Sequence, residues 1–115
     1  MKKINIVKEN KEFNEIISSK ICVKDKNLVI YHRNNGFGYY RFGITVPTKL
    51  GKAHIRNYYK RVLRNICDIN KICYSNNKDY IIIVRKGCLE SNYQEIERSF
   101  KYLMKKIEKE QSYEK

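Results

Sequence analysis

Tryptophan is absent from this chain, proline occurs once and glycine five times. With no repeats and no Pro- or Gly-rich stretch, nothing resembles an interdomain linker, and 115 residues is the length of one domain, 1–115. No apolar run approaches the ~20 residues that cross a bilayer. The start, MKKINIVKEN, lacks the hydrophobic core and small-residue cleavage site of a secretory signal, so a cytoplasmic protein is expected. The four cysteines, Cys22, Cys67, Cys73 and Cys88, form no C-x-x-C pair, and His32 and His54 stand at no ligand spacing to each other or to a cysteine. Reduced structural thiols and no protein-held metal are the reading. Acid is missing where it matters most: from Lys26 to Cys67 there are nine basic residues and no Asp or Glu.

What remains is charge of one sign on a foldable background. Lys+Arg 25 against Asp+Glu 12 gives +13, while 42% hydrophobic and 12% aromatic residues are too apolar a composition for a disordered basic tail. Such an excess favours a polyanion, either nucleic acid or an anionic membrane surface, and net charge alone does not choose. Residues 1–25 carry six basic and four acidic residues, and residues 89–115 six of each. The polyanion site is therefore expected in the middle of the chain.

Periodicity gives a coarse map of elements. Residues 10–18 put Phe13, Ile16 and Ile17 on one face of a short helix, with Asn10 as its cap. LVIYHR at 28–33 and YYRFGITV at 39–46 are β-rich, and NNGFG between them suggests a hairpin. A further strand is expected around Ile21 to Val23, and DYIIIVR at 79–85 reads as a strand buried on both faces. Ser91 and Gln94 form a capping box for a last helix whose Tyr93, Ile96, Phe100, Leu103 and Ile107 make a core stripe, with Lys105, Lys106 and Lys109 near its end. The order is that of an α+β sandwich.

The segment after Gly51, KAHIRNYYKRVLRNICDIN, is the most informative. At 100° per residue with Lys52 at zero, Arg56, Lys60, Arg64, Asn57 and Arg61 spread over about 40° to 180°. Ile55, Tyr59, Val62, Leu63, Ile66 and Ile69 fill the arc from about 260° to 20°. One half is basic and the other apolar. Like charges four apart repel, so an outside anion is the natural compensation. A solvated charged face is the bland alternative, although such faces normally mix signs. A helix lying in an anionic membrane interface is another; here the apolar half has no Trp or Phe and is needed to cover the sheet.

Arg and Asn together can read bases in DNA, but no second helix lies a short turn away to complete a helix-turn-helix. The aromatic residues shift the balance towards RNA: Phe13 on a helix and Tyr31 on a strand can form a platform on which unpaired bases stack. Ordinary core packing is the competing reading for both rings.

Gly51, Ala53, Arg56, Asn57, Lys60, Arg61 and Arg64 match the pattern G-x-A-x-x-R-N-x-x-K-R-x-x-R, and the chain here resembles the protein subunit of bacterial ribonuclease P. The Lys-rich start, the helix with Phe13, LVIY, FGITV and DYIIIVRKG extend the resemblance over nearly the whole chain. It implies an αβββαβα fold in which the helix from about 52 to 69 joins two parallel strands by a left-handed crossover. It also implies a protein that assists a catalytic RNA in removing 5' leaders from precursor transfer RNA, with Mg²⁺ held mainly by RNA.

By that resemblance Lys52, His54, Arg56, Asn57, Lys60, Arg61 and Arg64 face the catalytic RNA, and Phe13, Ile17 and Tyr31 line a cleft for the leader. Ile17 stands where the family often has an aromatic ring and is assigned apolar packing. Two further departures are Tyr58, where the family usually has Arg, and Pro47, where it has a small polar residue.

Cleavage by the protein itself is not expected. A metal nuclease gathers several carboxylates, and the basic middle has none. His32 and His54 are a conceivable acid–base pair, but His54 lies at about 200° on the RNA-facing side and reads as a polar contact, and His32 as a strand residue. No small-molecule substrate and no membrane partner are expected. The alternative function is a small basic ribosomal or RNA-assembly protein without associated catalysis.

Overall fold

The computed structural model describes residues 5–7, 9–71 and 77–113. The chain runs α1 (Asn10–Ser18), β1 (Cys22–Lys24), β2 (Leu28–Asn34), β3 (Arg41–Thr45), α2 (Ala53–Ile69), β4 (Lys78–Val84) and α3 (Tyr93–Tyr113), an αβββαβα order in the α+β class. The four strands form one sheet in the order β1-β2-β4-β3, with β3 and β4 parallel and the other neighbours antiparallel.

The expected hairpin between β2 and β3 does not form, because β4 lies between them. There β4 pairs with β2 on one side and β3 on the other, and all of its residues except Ile83 are buried, close to what its continuous apolar run suggests. The loop that looked like a hairpin turn bonds to β4's end instead: Asn35 N–H donates to Asn77 O at 2.7 Å and Asn35 Nδ2 to Asp79 Oδ1 at 2.7 Å. The actual hairpin is β1–β2, closed by Asp25, whose Oδ1 accepts from the Asn27 and Leu28 amides at 2.8 and 2.9 Å.

Alternation along the strands sorts the core into two sides. Leu28, Ile30, Tyr80, Ile82 and Val84 face Leu63 and Ile66 of α2 and Ile96, Phe100, Leu103 and Ile107 of α3. Ile81 faces the other way, where α1 contributes Ile16 and the preceding segment Val7. Thus α2 and α3 share one face of the sheet and α1 lies on the opposite one. Met104, not counted in the expected stripe of α3, is also buried.

Helix ends differ from expectation by one residue. Asn10 is inside α1, and Glu9 occupies the cap position without a side-chain bond. For α3 the reciprocal box is Asn92 with Glu95: Glu95 N–H donates to Asn92 Oδ1 at 2.9 Å and Asn92 N–H to Glu95 Oε1 at 3.0 Å. Ser91 is drawn away by the preceding turn, its hydroxyl bonding Gly87 O at 3.0 Å and Asn27 Oδ1 at 3.1 Å. Cys22, Cys67 and Cys88 are free thiols, and burial pushes Cys88 up to about 11, so it stays protonated. Cys73 and the Lys-rich start lie outside the described residues.

Candidate nucleic-acid interface

Entry into α2 depends on Gly51, whose φ of 156° and ψ of −177° lie in a region essentially restricted to glycine. Lys52 then caps the helix in extended conformation, its carbonyl accepting from the amides of Ile55 and Arg56 at 3.0 and 3.1 Å. Arg56 Nε folds back onto Gly51 O at 3.2 Å. Lys52, His54, Asn57, Arg61 and Arg64 are exposed, and Arg56 and Lys60 half-buried. Among the described residues, no ion pair involves any of these cations. The seven residues expected on the RNA-facing side therefore lie along α2 and its cap, and among the described residues the five cations, Lys52, Arg56, Lys60, Arg61 and Arg64, have no acidic partner.

The opposite side of α2 packs as a 63-66-67-70 stripe. Leu63, Ile66 and Cys67 are fully buried, and Asn70 is 6% exposed with its Nδ2 donating to Ile66 O at 2.8 Å and Glu97 Oε2 at 3.0 Å. Ile69, expected in this stripe, is 63% exposed, since 3.6-residue geometry gives its place to Asn70. Tyr58 is also exposed, edge-on to Tyr59 with ring centroids 5.1 Å apart.

Two of the nine middle cations point elsewhere. Asp79, fully buried, accepts from Arg41 Nε at 2.9 Å, Arg41 Nη2 at 2.8 Å, Arg33 Nε at 3.1 Å and Asn35 Nδ2 at 2.7 Å. Burial alone would raise the Asp79 carboxyl, but the bonds from Arg41, Asn35 and Arg33 outweigh it and hold it below the usual carboxylate range. Arg41 also reaches Glu12 at 2.7 Å and Arg33 reaches Glu15 at 3.4 Å, so the cluster fastens α1 to the sheet. Their charge is spent inside the fold, leaving seven middle cations for an outside anion.

On α1's side of the sheet, Phe13, Ile17, Tyr31 and Ile83 are partly buried around Val7, Ile16 and Ile81. The three expected cleft residues are thus together. Tyr31, Ile81 and Gly43 lie in one cross-strand row, and Phe13 covers the glycine so closely that a Cβ there would overlap its ring. The next row, Val29, Ile83 and Thr45, is half-exposed and continues the apolar floor. Ile83 was missed because a continuous apolar run does not reveal which of its residues faces an open side. At the β3 edge a cavity of about 620 Å³ has Phe13 and Gly43 on one wall and Arg64, Asn65 and Asp68 on another, linking the two expected surfaces.

His32 is 4% exposed on the α2/α3 side, 3.1 Å from Lys78 Nζ, and burial, reinforced by Lys78, pushes it down to about 4. It is neutral near pH 7. His54 is exposed on α2. The two do not share an environment suited to paired acid–base chemistry. No three His, Cys, Asp or Glu among the described residues gather as a metal site, and Asp79's oxygens are taken up by guanidinium and amide donors. Among the described residues no helix is long and apolar enough to cross a membrane.

The family model described as Ribonuclease P matches residues 1–108. A ribonuclease P protein component from Alkaliphilus oremlandii is 34% identical over 107 residues, spanning 93% of this chain and 94% of that protein. One from Mycoplasma mycoides subsp. mycoides is 39% identical over 109 residues, spanning 93% and 99%. Among solved structures, the Staphylococcus aureus RNase P protein superposes with a TM-score of 0.79 at 30% identity over 88% of this chain and 93% of that one. The Thermotoga maritima RNase P protein does so with 0.80 at 29% identity over 87% and 94%.

Proposed function

The chain belongs to the bacterial ribonuclease P protein family, and from that premise we propose that it binds the catalytic RNA through α2 and the 5' leader of precursor transfer RNA through the α1 cleft. The observation that carries the proposal is the arrangement of two different chemistries on opposite sides of one sheet. Lys52, Arg56, Lys60, Arg61 and Arg64 present uncompensated charge suited to phosphates. His54 and Asn57 add polar contacts along the same arc. Phe13, Ile17 and Tyr31 present a half-exposed apolar and aromatic floor suited to unpaired bases.

In this reading the cleavage is catalysed by the RNA. Mg²⁺, bound mainly by the RNA in this reading, would supply the activation of the attacking water. The protein's own part is positioning and screening: the cations of α2 offset phosphate repulsion that Mg²⁺ must otherwise screen. Tyr31 and Phe13 hold the leader so that precursor is favoured over mature product. The setting is cytoplasmic.

Reconstitution tests this. The purified protein added to a bacterial ribonuclease P RNA should raise cleavage of precursor transfer RNA at low Mg²⁺ and should cleave nothing by itself. RNA-free cleavage that survives repurification and disappears in a His32/His54 double variant would overturn the proposal.

A further inference from the structure

The net charge of residues 89–115 hides a second basic surface. In α3 the acids of the first two turns are engaged: Glu95 closes the cap with Asn92, and Glu97 accepts from Asn70 of the turn after α2. From Arg98 to Lys109 there are five cations and one acid, Glu108. With Tyr93 at zero, Lys101, Lys105, Arg98 and Lys109 fall between about 80° and 160°, opposite the buried Ile96, Phe100, Leu103 and Ile107. All four cations are exposed, and among the described residues none of them is in an ion pair.

The fold gives this arc its meaning. Both α2 and α3 pack against the same face of the sheet, α2 over β3 and α3 over β1 and β2, joined by the bond from Asn65 Nδ2 to Tyr93 Oη at 3.0 Å. Their outer sides therefore look the same way, and the basic face is two helices wide. Within it Tyr102 is 53% exposed and carries Lys106 Nζ 4.8 Å from its ring centroid, which holds a cation against the surface. Lys101, Lys105 and Lys109 repeat at four-residue intervals, a spacing that weakens an isolated helix unless an anion sits beside it.

We propose that Arg98, Lys101, Lys105 and Lys109 form a second phosphate-binding surface, which engages the backbone of the same RNA that α2 holds. The inference rests on the reading of the chain as an RNA-binding subunit. The occupant is a folded RNA and not a lipid surface, because the flanking helix presents Asn57 and His54 among its cations, groups suited to hydrogen bonding with bases and riboses.

The test is the salt dependence of binding to a bacterial ribonuclease P RNA transcript, using the full chain with R98Q, K101Q, K105Q and K109Q combined. Glutamine keeps helix propensity, and circular dichroism checks the fold. The slope of log K against log salt should become shallower by roughly 2 to 4 units, each phosphate contact contributing about 0.7 to 0.9. The half variants R98Q/K101Q and K105Q/K109Q should each remove part of that change. An unchanged slope in the folded variants overturns the proposal, as does loss of binding to phosphatidylserine-containing vesicles with RNA binding intact. The Arg56, Lys60 and Arg64 alanine variant measured alongside reports on α2 separately, so failure of the main reading and failure of this one appear in different proteins.

Discussion

Arg41 holds Asp79 with two nitrogens at once, Nε on Oδ1 at 2.9 Å and Nη2 on Oδ2 at 2.8 Å, around a carboxylate with no exposure to solvent. Because Arg41 also reaches Glu12, this pair ties the sheet to α1 and so fixes one wall of the cleft lined by Phe13, Ile17 and Tyr31. Removing one partner of a buried pair leaves a charge uncompensated and costs about 3 to 5 kcal/mol. Asp79→Asn should therefore destabilise the fold by about that amount in urea unfolding at pH 7.

The same pair has an acid signature. The Asp79 carboxyl binds its proton less tightly when folded than its ordinary value of about 4. Its stabilisation is present above that pH and is lost as pH falls through the lower folded value, because there the unfolded chain binds more protons. Thermal midpoints followed below about pH 4 should fall more steeply in the parent protein than in Asp79→Asn. Parallel curves would contradict the assignment.

His32 acts in a higher window. Its folded value of about 4 against an ordinary 6.5 means that the unfolded chain takes up the proton first as pH drops from 6.5. Stability is full above 6.5 and declines towards 4, by up to about 3 kcal/mol. His32→Gln keeps an acceptor for Lys78 and cannot titrate, so its unfolding free energy should be nearly flat over that interval. An equal decline in both proteins would remove His32 as the cause.

Tyr31 tests the cleft. Its alanine variant should weaken binding of leader-bearing precursor by roughly 1 to 3 kcal/mol if a base stacks on the ring, and change mature transfer RNA little. Thermal unfolding measured beside it separates this from a packing loss, since Tyr31 also touches the small core around Ile81. Equal weakening of both RNAs would sink the leader cleft and leave the α2 surface standing.

How much of this was written in the sequence depends on how local its cause is. The basic arc of α2 and the stripe of α3 follow from helical spacing and needed no tertiary information. The false β2–β3 hairpin shows the limit: NNGFG has hairpin chemistry, yet β4, more than 30 residues later, pairs with both strands and separates them. Arg33 and Arg41 looked like part of the RNA-binding charge because Asp79 lies far away in sequence and across the sheet. The α3 surface was invisible for the converse reason. Its acids and bases cancel along the chain, but Glu95 and Glu97 are turned to capping and interhelical bonds, which no count along the sequence reveals. Ile69 was placed in the apolar arc of α2 but lies at its edge, at about 260°, and is exposed, while Asn70, at about 0°, lies inside the arc and is buried.

The central claim is that the uncompensated cations of α2 grip RNA phosphates, and the most direct measurement is the salt slope of a folded Arg56→Ala, Lys60→Ala, Arg64→Ala variant on a bacterial ribonuclease P RNA. The account predicts a slope shallower by roughly 2 to 3 units than that of the parent protein. A slope unchanged within error would contradict it.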